Sequence, residues 1–124
     1  MNIIEQARQG YAPTQPAIRT DRAVEAQLIS HITARLRKAA SHETRDFPML
    51  MSALHDNRQM WTTMAIDVAD NDNGLPDTLR AQLFYLAEFT KHHSQMVIRG
   101  QADVDALIDV NTAVLRGLNA QGAA

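Results

Sequence analysis

The chain reads as all-α: a small helical bundle of four main helices with a short N-terminal helix before them. Three observations lead there. Apolar residues recur every three or four positions over four long stretches. No stretch alternates apolar and polar residues over a strand's length between turn signals. Aromatic residues make up only 5 %, while Ala, Leu, Gln, Arg and Met are plentiful, and those side chains lose little rotamer freedom in a helix. At 124 residues, 45 % of them hydrophobic, the chain is one domain and buries roughly two-thirds of the surface its unfolded form exposes.

Taken in order, Ile3, Ile4 and Ala7 lie on one side of a short helix that Gly10 stops. Pro13 and Pro16 forbid a regular helix in the next stretch, so residues 1–19 read as an arm and linker. Thr20 or Asp21 supplies a cap for a helix reaching about residue 40, with Val24, Leu28, Ile29, Ile32, Leu36 and Ala39 as its stripe. The run SHETRD breaks the pattern. Asp46 caps the next helix, and Pro48 is tolerated in its first turn. Its stripe is Leu50, Leu54, Trp61, Met64, Ala65 and Val68, interrupted by Asn57, and it ends near Asp70. Pro76 opens a helix with Leu79, Leu83, Leu86, His93 and Val97 on one face and Phe84 and Phe89 nearby. Gly100 suits the left-handed position that closes it. Asp103 caps the last helix, whose repeat is Val104, Leu107, Ile108, Asn111, Val114, Leu115 and Leu118; residues 119–124 form a frayed tail. Short connections make the last three helices antiparallel neighbours.

With no cysteine, disulfides, thiolate metal sites and a Cys nucleophile are excluded. The first residues lack the apolar core of a secretion signal, and no apolar run approaches the roughly 20 residues that span a bilayer; the expected compartment is the cytoplasm. Net charge is −2, with +2 over residues 1–46 and −4 over residues 47–124. That is far from the strongly basic balance of a nucleic-acid binder, and no DNA contact is expected.

The stretch ADNDNGLPDTLR, residues 69–80, has the look of a calcium loop. Such a loop needs an acid first, glycine sixth and a bidentate Glu twelfth. With Gly74 sixth, Ala69 stands first and Arg80 twelfth, so both ends fail and the segment reads as a helix–helix turn. Of His31, His42, His55, His92 and His93, no two share the i, i+4 spacing that puts two imidazoles on one face. Ser30, Ser41, Ser52 and Ser94 sit in no nucleophile turn, the carboxylates are scattered, and no glycine-rich phosphate loop is present. No catalytic residue, cofactor or metal is expected.

Three features remain. Arg35, Arg37 and Lys38, followed by Arg45, are either RNA-phosphate contacts or cations placed by the helix C-terminus. No aromatics interleave among them for base stacking. The run QLFYLAEF, residues 82–89, is apolar almost all round. Either that helix is buried on all sides, or Leu83, Phe84, Tyr85, Leu86 and Phe89 leave a surplus face for a partner helix. Asn111 lies among apolar neighbours and needs partners, from an adjacent helix or a bound chain.

The run NRQMWTTMAIDVADNDNGLPDTLRAQLFYLAEFTKHHSQMVIRG with the later VDALIDVNTAVLRGL resembles the bacterial flagellar biosynthesis regulator family FlaF. The matching features are Asn57-Arg58 with Trp61, Asp67-Val68-Ala69, Asn73 with Leu75-Pro76, Leu79-Arg80-Ala81, Leu86-Ala87, Phe89-Thr90, His93-Ser94, Leu107-Ile108, Asn111 and Gly117-Leu118. The resemblance implies a non-enzymatic cytoplasmic protein that binds flagellin as a secretion chaperone and promotes its synthesis and export. The alternative it carries is post-transcriptional control of flagellin, acting on its messenger RNA directly or through the partner regulator FlbT. The residues expected to meet flagellin are Trp61, Leu83, Phe84, Phe89 and His93; those expected to meet RNA in the alternative are Arg35, Arg37 and Lys38.

Overall fold

The computed structural model describes residues 20–41 and 46–123, with the backbone alone at 20–24 and 118–123. The short N-terminal helix, the proline linker, His42 and Arg45 lie outside the described residues. Among the described residues every regular element is helical: α1 (Thr20–Ala40), α2 (Phe47–Ala69), α3 (Asp77–Ile98) and α4 (Asp105–Ala123). The described part of α1 begins at Thr20, and the capping expected of Thr20 or Asp21 falls on side chains outside the described residues. The backbone of α4 stays helical to Ala123, through most of the segment expected to fray.

At three helix ends the local expectations hold in detail. The Asp46 carboxylate accepts from the Met49 N–H at 3.1 Å, with Pro in the first turn of α2, and so fills one of the donors a helix start leaves open. At the end of α3, Gly100 has φ 74°. Its N–H donates to the Val97 carbonyl at 3.0 Å, and the Gln101 N–H to that of Met96 at 2.8 Å. This paired closure satisfies two orphan carbonyls and needs a left-handed residue, which glycine adopts without a Cβ penalty. The Asp103 carboxylate accepts from the Asp105 N–H at 3.0 Å at the start of α4.

The core is built from Ile29, Ile32 and Leu36 of α1, Leu54, Met60 and Trp61 of α2, Ala87 and Val97 of α3, and Val104 and Leu107 before and within α4. Among the residues whose side chains are described, the stripes on α1, α2 and α4 therefore point inward, except that Leu28 is left 46 % exposed. On α3 the expected stripe is displaced. The residues it buries fully are Ala87, Thr90, Ser94 and Val97, while Leu79, Leu83, Leu86 and His93 flank them half-buried. Small side chains at helical spacing let α3 approach closely, and the bulkier residues wedge in on either side.

The helix neighbours also differ from chain order. α2 packs along α3 and α1, and α1 along α4, whereas α3 and α4 touch only slightly. α4 is instead tied to α1 and α2 by a buried polar network. Asn111 Nδ2 donates to Asn57 Oδ1 at 2.8 Å and to Thr33 Oγ1 at 3.1 Å; the Trp61 indole N–H donates to Asn111 Oδ1 at 2.9 Å. The Thr33 hydroxyl in turn donates to the Ile29 carbonyl at 2.6 Å. Asn57, Asn111 and Thr33 are all buried, so each bond replaces water that none of them can reach. Asn111 thus finds its partners on adjacent helices, and the break that Asn57 makes in the apolar stripe of α2 is one end of this tie.

Candidate functional site

The α2–α3 turn, residues 70–76, sets how these two helices lie against each other. Asp70 Oδ1 accepts from the Asp72 N–H at 2.9 Å and Asn73 Oδ1 from the Leu75 N–H at 3.2 Å. Each is a short side chain standing in for a backbone turn. Gly74 takes φ 88°. Arg80 then reaches back from α3: Nε–H donates to the Val68 carbonyl at 2.8 Å, and Nη2 to the Asp70 carbonyl at 2.9 Å. Nη1 contacts the Asp77 carboxylate at 3.3 Å. The residue that stood where a calcium loop needs its closing Glu instead clamps the end of α2 through its carbonyls. Among the described residues no group of three or more His, Cys, Asp or Glu is placed to hold a metal ion.

This hinge makes α2 and α3 an antiparallel pair, and between them runs an open groove of about 280 Å³. Arg58, Thr62, Ile66 and Ala69 follow one ridge of α2, while Phe84, Glu88 and Lys91 follow the facing ridge of α3. These positions step by three or four residues, which places them on one side of each helix. Ala65 and Ala87 keep the space between the ridges free, and the buried Trp61 and Thr90 form its floor. Ile66 is 70 % exposed and Phe84 45 %, so two large apolar side chains stand in solvent at the end nearest the turn. Tyr85, next to Phe84, is 68 % exposed. α3 is therefore not buried on all sides: Phe84 and Tyr85 are left exposed, and Phe84 sits on the groove rim.

The residues expected to meet a partner fall in different places. Phe84 is on the rim and Trp61 under it, buried and committed to Asn111. Leu83 packs half-buried against the core. Phe89 and His93 stack on each other with centroids 5.4 Å apart, and His93 Nε2–H donates to the Asp103 carbonyl at 2.9 Å, tying α3 to the segment before α4. Neither lines the groove. Conversely Arg58, Ile66 and Lys91 line it without having been expected to. The signal was in the sequence, since Ile66 falls off the apolar stripe of α2 and so had to face somewhere other than the core.

The basic cluster is partly engaged in the fold. Arg35 forms an ion pair with Asp56 at 2.6 Å and donates to the Ser52 hydroxyl at 3.0 Å, joining α1 to α2. Arg37 reaches the Thr112 hydroxyl on α4 at 3.5 Å. Lys38, beside them near the end of α1, is exposed.

Among the described residues, the fold and its groove thus define a helical bundle with an open, largely apolar groove between two of its helices. The chain belongs to the FlaF family: the family model described as flagellar protein FlaF matches residues 7–118. It is accordingly a flagellar protein. No curated protein and no solved structure matches it, and no described helix is long and apolar enough to cross a membrane.

Proposed function

We propose that the protein binds flagellin in the cytoplasm as a secretion chaperone, without catalysing a reaction, and so promotes flagellin supply for export. Family membership gives the flagellar setting. The observation that carries the reading is the exposed apolar pair Ile66 and Phe84 lining an open inter-helix groove, with exposed Tyr85 next to Phe84 in sequence. Subunits that assemble through helical segments present apolar stripes before assembly, and a groove between two helices can cover such a stripe by burial alone. Each Å² covered contributes about 25 cal/mol before ordering costs are subtracted.

The RNA reading has less support. Arg35 and Arg37 both make contacts that hold α1 to its neighbours, and a cation bonded within its own fold gives up those contacts before it reaches a phosphate.

The experiment is size-exclusion chromatography of the purified protein with purified flagellin, nuclease-treated so that no RNA is present. A co-eluting complex is expected. Free flagellin and free protein eluting apart, with an RNA-dependent effect on flagellin translation and a salt-dependent RNA affinity, would replace chaperoning by translational control, direct or through FlbT.

A further inference from the structure

The groove has a polarity along its length, and that polarity describes its occupant. At the end toward the α2–α3 turn stand Ile66 and Phe84; at the far end stand Arg58 on α2 and Lys91 on α3. Neither cation has a hydrogen bond or ion pair with any described residue. Glu88, one turn from Lys91 toward Phe84, also lines the groove, yet it is paired with neither of them. From Arg58 to Ala69 the α2 ridge rises about 16 Å at 1.5 Å per residue, the length of three helical turns.

Resting on the chaperone reading, we propose that this groove receives a helix of about three turns from the partner polypeptide. That helix sets a large apolar side chain between Ile66 and Phe84 and a carboxylate between Arg58 and Lys91. Three observations select this occupant. The two ridges are antiparallel helices, so a third helix laid between them packs ridge into groove. Alanines at 65 and 87 make room for its side chains without displacing the walls. The two cations lining the groove stand on opposite walls and both toward the end away from the turn, so a carboxylate two to three turns from the apolar anchor fixes direction as well as register. Charge of this kind contributes orientation and encounter rate more than raw affinity. A second copy of the chain is the competing occupant.

The test measures flagellin affinity by titration calorimetry at low and moderate salt. The variants are the paired reversal Arg58→Glu with Lys91→Glu, the apolar-end changes Phe84→Asp and Ile66→Asp, and Arg116→Glu on the exposed side of α4 as control. Phe84 and Ile66 are both substantially exposed, so at least one of the two aspartates leaves helical content and melting temperature intact. Expected are at least a tenfold loss from the folded apolar-end variant, a similar loss from the paired reversal together with its salt dependence, and no change from Arg116→Glu. If wild-type protein binds flagellin and the groove variants bind equally well, the groove assignment is overturned while the chaperone reading stands. If wild-type protein forms no complex with flagellin, both fall. If the protein alone is a dimer that Ile66→Asp or Phe84→Asp dissociates, the occupant is a second copy and the proposal is overturned.

Discussion

The indole N–H of Trp61 donates to Oδ1 of Asn111 at 2.9 Å, across 50 positions of sequence, with both side chains buried. Asn111 spends its two amide hydrogens on Asn57 and Thr33, so one side chain on α4 fixes three positions on α1 and α2. A network in which one residue holds three others is stable only while that residue is present.

Asn111→Leu, which keeps the volume and removes the polar end, is therefore expected to destabilise the fold by about 3 kcal/mol. It leaves the Trp61 N–H and the Asn57 carbonyl without their partner, while the Thr33 hydroxyl keeps its bond to the Ile29 carbonyl, and unsatisfied buried groups cost roughly 1–3 kcal/mol each with partial relief by relaxation. The thermal midpoint should fall by about 10 °C. Trp61 fluorescence should shift in the native state as its N–H loses its acceptor.

Thr90 should behave in the opposite way. Its Oγ1 is buried and has no hydrogen-bond partner in the structure, so Thr90→Val removes an unsatisfied hydroxyl and keeps the shape. Urea unfolding should show the variant as stable as the parent, or more stable by up to about 1 kcal/mol. A loss above that would mean the hydroxyl has a partner.

Gly100→Ala is expected to cost about 1–2 kcal/mol. A Cβ there meets nothing within 4 Å, so the whole cost is the left-handed φ of 74° that an L-residue resists. Gly100→Asn should cost less, since asparagine tolerates that region better. The ordering Gly, Asn, Ala in denaturation midpoint checks this.

Arg80→Lys should be almost as damaging as Arg80→Met, each costing about 1–2 kcal/mol. The guanidinium bonds two carbonyls and a carboxylate from one planar fork, which a point ammonium does not reproduce. Amide exchange should quicken over residues 68–77 before it does so elsewhere, because the clamp holds that end of α2.

Adding millimolar calcium should leave the melting temperature unchanged. A site that bound the ion in the native state alone would raise it by mass action, but Ala69 offers no ligand and Arg80 places a cation against the loop.

Much of the architecture was legible because it is local. Helix starts and stops depend on groups within a few residues of each other, so Asp46, Gly100 and Asp103 could be placed from sequence by their chemistry. The 3.6-residue repeat named Ile29, Leu36, Leu54, Val68 and Leu107 as core, and all five are buried. The same repeat misled on α3. There, hydrophobicity pointed to the leucines, whereas close helix approach selects Ala87, Thr90 and Ser94 for size.

By itself, then, the sequence determined the four main helices, their ends at Asp46, Gly100 and Asp103, the turn at residues 70–76 and an apolar excess on α3, because each follows from interactions along one stretch of chain. Only the tertiary structure decided which helices are neighbours, that Trp61 and Asn57 serve Asn111, and that Arg58, Ile66, Phe84 and Lys91 line one groove. Those relations join residues dozens of positions apart, and hydrophobic periodicity is blind to them: it says which face of a helix turns inward, not which other helix it meets there.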